Sequence, residues 1–331
     1  MSELRQDRTT GARVIVAPER GHRPRQPAAP APSPAPGFDP ACPFCPGNEG
    51  ELPGIIAEAP SAAAPGWRVR VVPNKHPALR PLPPEEAAPA DATLPGHGFH
   101  EVVIESPRHD AALADLSDGE IATVLSVYHD RFVALAGRPR IRAVVLFRNH
   151  GAAAGASLAH PHAQLLALPT MPPGVQSQID WAERRFRERG NCPVCDELAR
   201  ERDDARRIVE ERRHFAALVP FAATCPFETW LVPKRHQASF AEIDADELAE
   251  LGPFLRDALR RLRRVLGEVP YNFFVDPLGP AETGQPHLHW RLRILPGLVR
   301  PGGFELATGL AINPSRPEED AEALRGADGG S

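Results

Sequence analysis

Residues 147–169, FRNHGAAAGASLAHPHAQLLALP, set His160, Pro161, His162 and Gln164 at the end of a loop of small residues. A proline holds the residue before it in extended backbone, so His160 enters a strand. Alternate residues of a strand share a face, which places His160, His162 and Gln164 side by side. An imidazole held rigid and neutral is a nucleophile toward phosphorus near neutral pH, and His162 is the candidate. Upstream, Asn149, Gly151, Gly155 and Ser157 form a loop with few side chains, where backbone N–H groups can approach a phosphate. His150 is given no role and is expected at a solvent-facing loop position.

Two Cys-x-x-Cys pairs carry a second chemistry, Cys42-Pro-Phe-Cys45 and Cys192-Pro-Val-Cys195. Such a turn brings two sulfurs to one point, and two imidazoles from elsewhere complete a tetrahedral zinc shell. A redox pair would instead open a helix in a thioredoxin-like context. Around the first pair, Pro43, Pro46 and Gly47-Asn48-Glu49-Gly50 read as a knuckle running into a loop. The candidate ligands are Cys42, Cys45, His109 and His160 in the first half. In the second they are Cys192, Cys195, His236 and one of His287 or His289. Cys225 is left over, and a small buried hydrophobe is its expected role.

These residues need strands to hold them, and nine alternating apolar runs have strand character: ARVIVA, WRVRVVP, HEVVIES, IRAVVLFR, HAQLLALP, HFAALVPFA, ETWLVPKR, YNFFVD and HLHWRLRILP. Helical spacing runs from Asp118 to Ala136 and from Asp244 to Leu266, each opened by residues suited to N-capping. A polar surface helix is expected around Ser177 to Glu188 and a short one near Glu318 to Leu324. The proline-rich stretches 26–40 and 80–96 read as exposed connectors. Strands outnumber helices, and helices fall between strand groups, which predicts an α+β fold.

The pattern repeats. Each half runs Cys-x-x-Cys, a strand ending in His, a helix, a strand, and then His-x-His on a strand. His109 stands 51 residues before His160, and His236 stands 51 before His287 and 53 before His289, so the repeat register favours His287. The chain is expected to be two like modules, 1–170 carrying the chemistry and 171–331.

HPHAQ resembles the active-site motif of the histidine-triad superfamily, and the whole chain resembles the galactose-1-phosphate uridylyltransferase family, in which two such modules are fused. The resemblance implies that each module is an antiparallel sheet with flanking helices. The resemblance is carried by LRQDRTTGARVIVAPERGHRPRQ, CPFCPGNE, VVPNKHPAL, FHEVVIESPRH, FRNHGAAAGASLAHPHAQ, VPFAATCPFETW, LVPKRH and GGFELATGLAINP. Within the family, FAATCPFETW and GGFELATGLAINP are closest to the branch that includes plant ADP-glucose phosphorylase. The resemblance implies a ping-pong nucleotidyltransferase in which His162 takes a nucleoside monophosphate from a nucleotide sugar and passes it to hexose 1-phosphate. The competing readings are an ADP-glucose phosphorylase that uses inorganic phosphate and a non-catalytic, zinc-stabilised nucleotide-binding module.

By the same resemblance Gln164 and Ser157 bond phosphoryl oxygens, Asn74 and Asn149 contact the nucleotide, and Arg20 and Arg23 assist. Two structural zinc ions are implied, and the second takes His289 in place of His287. A homodimer is implied as well, with the proline-rich arms and the carboxy-terminal segment crossing between subunits. Hydrolase branches carry a third histidine where Gln164 stands; glutamine cannot donate a proton at neutral pH, which favours transfer over hydrolysis. Many uridylyltransferases continue past the glutamate matching Glu305 to a glutamine that contacts the hexose, and LATGLAINP has none. Paired on His287, HLHWR sets Arg291 where the first half has Gln164, so one catalytic site per chain is expected.

Composition narrows the partners. A formal net charge of -5 with no basic stripe argues against nucleic acid. No apolar run is long enough for a membrane span. The N-terminus has no apolar signal core and reads as cytoplasmic.

Overall fold

The computed structural model describes residues 2–22, 36–60, 66–82 and 96–327. In chain order the strands and helices are β1 (Glu3–Gln6), β2 (Arg13–Val16), β3 (Ala57–Pro60), β4 (Trp67–Pro73), β5 (Phe99–Ile104), α1 (Asp118–Ala136), β6 (Ala143–His150), β7 (His162–Leu168), α2 (Pro173–Arg189), α3 (Pro193–Asp204) and β8 (Ile208–Glu211). Then follow β9 (Phe215–Leu218), β10 (Thr229–Pro233), α4 (Ala245–Leu266), β11 (Tyr271–Val275), β12 (Leu292–Pro296), α5 (Gly303–Thr308), β13 (Ala311–Asn313) and α6 (Pro317–Gly326).

Ten strands form one sheet in the order β3-β4-β5-β7-β6-β11-β12-β10-β9-β8, and every neighbouring pair is antiparallel. Five strands come from each half. Read from its outer edge, each half has the same order: three strands in sequence, then the fifth, then the fourth. The halves meet along β6 and β11, where Phe147–His150 pairs with Tyr271–Phe274. A small sheet joins the chain ends, with β13 adding in parallel to the β1-β2 hairpin.

Helices α1 and α4 cover one face. Both begin with a capping box, Ser117 with Glu120 and Asp244 with Glu247, which satisfies free N–H groups of the first turn. Their apolar stripes, such as Ile121, Leu125, Tyr128 and Phe132 or Leu251, Phe254, Leu255 and Leu259, merge with Val71, Val103, Leu165, Phe273 and Ile294 of the sheet in a single core. Where the helices cross, a Cβ on Gly252 would lie 3.3 Å from the Ile121 backbone, so only glycine permits this approach without a shift.

The opposite face carries the two cysteine segments. Phe44 and Leu52 pack on Trp67, Val72, Val102 and Ile104 in the first half. In the second, Cys192, Val194 and Leu198 pack on Ala216, Leu218, Trp230 and Val232. All nine expected strand runs form, and the fold is α+β. Helix α1 has the expected bounds; Asp244 proves to be the cap of α4. Unforeseen are the short strands β1, β3, β8 and β13 and the helices α3 and α5. The proline-rich positions 26–35 and 83–95 lie outside the described residues.

Candidate active site

Strand register assembles the site on the face away from α1 and α4. Gln164 pairs with Phe147 on β6 and Val102 on β5, and His162 pairs with Ile104. Asn149 stands two residues beyond Phe147, on the same face and toward the His162 end. Asn74, just past β4, donates its backbone N–H to His100 O at 2.8 Å, so those two residues flank Gln164. Arg20 is exposed on the turn Pro18–His22, and Arg23 lies outside the described residues.

The expected ligand sets are brought together. Ligand atoms of Cys42, Cys45, His109 and His160 lie within 4.8 Å of one another, and so do those of Cys192, Cys195, His236 and His289. Sulfur and imidazole ligands of a tetrahedral zinc stand about 3.6 Å apart, from bond lengths of about 2.3 and 2.05 Å. Here Cys45 Sγ is 3.4 Å from His109 Nδ1 and 3.6 Å from His160 Nδ1, and Cys42 Sγ is 3.7 Å from His160 Nδ1. Cys195 Sγ is 3.4 Å from His236 Nδ1 and 3.3 Å from His289 Nδ1. His160 Nε2 donates to Ser106 O at 2.8 Å and His289 Nε2 to Pro233 O at 2.9 Å, which turns the Nδ1 lone pairs inward. The donor set, spacing and outer bonds all fit a zinc ion, which four protein ligands would make structural.

Ser106 and Pro233 each stand three residues before the strand-end histidine, so the halves match at this bond. The match runs from His160 to His289 and sets aside the register through His287, which instead lies 6.4 Å from the Phe186 ring. Arg291 therefore occupies the place of His162, not that of Gln164, which falls to Arg293. Arg291 is buried, bonded to Asp276 Oδ2 and Thr9 Oγ1 at 2.7 Å each, and no nucleophile remains there. The second cysteine pair also departs from a knuckle into a loop, because Cys192 caps α3.

His162 is buried, with the Phe44 ring 5.4 Å away. Its Nδ1–H donates to His160 O at 2.8 Å, leaving the Nε2 lone pair free. Burial pushes its pKa down, so the ring is neutral at pH 7. The Oε1 of Gln164 lies 2.7 Å from His100 Nε2 and 3.4 Å from Asn74 Nδ2. Gly151 and Gly155 adopt positive φ of 82° and 92°, a region that disfavours side chains, and shape the loop that carries the exposed Ser157. Asn149 Oδ1 accepts from Asn272 Nδ2 at 2.8 Å, and Asn272 also donates to Ala154 O at 2.8 Å. His150 is not solvent-facing; it stacks on Tyr271 at 4.6 Å, and burial pulls its pKa down to about 4. His100 and Asn272 escaped the sequence reading, since nothing but strand pairing brings them to Gln164 and Asn149.

The sheet is built of two like halves, one of which gathers His162, Gln164, Asn149 and Asn74 on one face, and comparison with known proteins places the chain in a family. Residues 1–172 match the galactose-1-phosphate uridyl transferase N-terminal domain and residues 178–296 match its C-terminal domain. The chain belongs to the galactose-1-phosphate uridylyltransferase family and is an enzyme of its nucleotidyltransferase class. It is 38% identical over 334 residues to ADP-glucose phosphorylase of Arabidopsis thaliana, covering 98% of this chain and 92% of that one. A crystal structure of an A. thaliana ADP-glucose phosphorylase with bound ADP-glucose matches at TM-score 0.85 and 35% identity, covering 98% of each chain. Galactose-1-phosphate uridylyltransferase of Thermotoga maritima is 29% identical over 338 residues and covers 98% of each.

Proposed function

We propose that the chain splits a nucleoside diphosphate sugar with inorganic phosphate, with ADP-glucose as the substrate, through a nucleotidyl group carried on His162. The observation that carries this reading is the buried neutral imidazole whose Nδ1–H is tied to His160 O, so that Nε2 is the nucleophile. Nε2 attacks the α-phosphorus; the bond to the bridging oxygen breaks, and its electron pair leaves with sugar 1-phosphate. Inorganic phosphate then attacks the same phosphorus, releases Nε2, and departs as nucleoside diphosphate.

The leaving group is a phosphate ester whose last pKa is about 6, so it needs no proton at pH 7. Gln164, which can bond but not protonate, suits such a leaving group. Ser157 and the backbone of the glycine loop would bind phosphoryl oxygens, and Asn74 and Asn149 the nucleotide. Support for adenine and for phosphate as acceptor comes from the likeness to ADP-glucose phosphorylase over nearly the whole chain. Uridylyl transfer to a hexose 1-phosphate is the second reading, favoured by the end-to-end match to the T. maritima enzyme. Zinc at both Cys2His2 clusters belongs to this proposal, and so does a homodimer, supported by the exposed Phe304 and Leu306 of α5.

Incubation with nucleoside-labelled ADP-glucose or UDP-glucose, without acceptor, tests the reading. Acid-labile label from ADP-glucose that phosphate discharges as ADP supports it. Label from UDP-glucose alone, discharged by a hexose 1-phosphate, selects the second reading, and no label from either leaves a nucleotide-binding module. The variant His162→Gly is expected to take up no label; uptake there overturns the nucleophile.

A further inference from the structure

We propose that His100 is a positioning residue that decides which end of the Gln164 carboxamide faces the substrate. The proposal rests on the reading above only for what Gln164 does; the orientation itself follows from hydrogen bonds. The backbone N–H of Ala78 donates to His100 Nδ1 at 3.1 Å. That bond needs a lone pair on Nδ1, and a neutral imidazole with its lone pair there carries its hydrogen on Nε2. Nε2–H then donates to Gln164 Oε1 at 2.7 Å.

Asn74 reinforces the choice. Its Oδ1 accepts from the His76 backbone N–H at 2.8 Å, which commits its Nδ2 to Gln164 Oε1, 3.4 Å away. Asn74 Nδ2 and His100 Nε2, 3.2 Å apart, are both donors and converge on that one oxygen. With both lone pairs of Oε1 taken, Gln164 has only its Nε2 hydrogens left to offer. The two ends of a carboxamide are nearly the same in shape, so hydrogen bonding alone distinguishes them. Turned about, Gln164 would aim an acceptor oxygen at an anionic phosphoryl group. Two backbone N–H groups of residues 76–78, which have no alternative polarity, thus fix the polarity of Gln164 through His100 and Asn74.

Three variants and one spectrum test the proposal. His100→Phe keeps a ring but removes both bonds; nucleotidyl-enzyme formation is expected to slow about 10²- to 10³-fold, the usual effect of losing one oriented donor. The KM for nucleotide sugar should move little. His100→Gln, able to accept at one end and donate at the other, should restore part of the rate. His100→Glu presents an acceptor to Gln164, turns it about, and should be slower than His100→Phe, an order that loss of packing alone does not produce. In the full chain labelled with ¹⁵N-histidine, His100 should show the neutral Nε2–H tautomer in long-range ¹H–¹⁵N correlations. A His100 protonated on Nδ1, or a His100→Phe variant with unaltered rate, overturns the proposal. The spectrum needs neither turnover nor a folded variant, so it gives its answer even if the proposed reaction fails.

Discussion

His160, His162 and His289 each have one ring nitrogen committed to a backbone carbonyl before any ligand arrives: His160 to Ser106 O, His162 to His160 O, and His289 to Pro233 O. A ring held this way cannot change tautomer without breaking a buried bond, so each free nitrogen is a lone pair aimed at one target. Because His160 both faces the cysteines and accepts from His162, disturbing the Cys42, Cys45, His109 and His160 cluster should disturb the proposed nucleophile. We expect about two equivalents of zinc per chain, and Cys42→Ser should remove one and slow nucleotidyl transfer about 10- to 100-fold. Elemental analysis beside the rate checks this, and Cys225→Ser, changed at a buried thiol outside both clusters, should leave the metal content unaltered. Metal-free protein would refute the ligand assignment. At this scale cysteine and histidine spacing was readable, because ligands must be particular residue types. The choice between His287 and His289 was not, since equal spacing favours the former and the spacing of the second half differs by two residues. His100 was unreadable for another reason: at the head of β5 it has the look of any polar residue entering a strand.

Strands β5 and β6, helix α1 and strand β11 are stitched together by one buried polar cluster. Arg148 Nε lies 3.0 Å from both oxygens of Glu105, and its Nη1 donates to Tyr271 Oη at 3.1 Å, while Tyr128 Oη donates to Glu105. Arg148 and Glu105 are almost wholly buried, so removing one strands the other. Arg148→Met should cost about 3–5 kcal/mol, and the double change Arg148→Met with Glu105→Leu should recover much of the loss. Urea unfolding of the single and double variants measures both, and equal stability of the two would show that the charges are not coupled. Elements were legible where the apolar period recurs along a run. Seven residues of β4 or nineteen of α1 display their period several times over. Strands β1, β3 and β8 have four residues each and β13 three, and they exist because β2, β4 and β9 supply their hydrogen bonds; β2 and β9 are themselves four residues long but sit within the longer apolar runs ARVIVA and HFAALVPFA. Helix α3 was not foreseen because its first turn coincides with the second cysteine pair, which read as metal ligands.

Across the whole molecule, one sheet and one core run through both halves, with no cleft of solvent between β6 and β11. We therefore expect the full chain to unfold in a single transition, with far-ultraviolet and aromatic signals coincident, and a fragment ending at residue 172 to fail as a monomer because β6 becomes an open edge. Two separate calorimetric peaks, or a stable monomeric fragment, would contradict this. The duplication could be read from the ordered recurrence of cysteines and histidines. The way the copies join could not, since β6 and β11 carry no mark that distinguishes an edge from a seam.

That seam also bears on how the two copies can change over time. A half that carries no counterpart of His162 would ordinarily be free to drift. Here Asn272, in the second half, holds both Asn149 and the Ala154 carbonyl of the first. Any lineage that alters position 272 alters the glycine loop of the other half, so the second copy is kept faithful by a loop that is not its own.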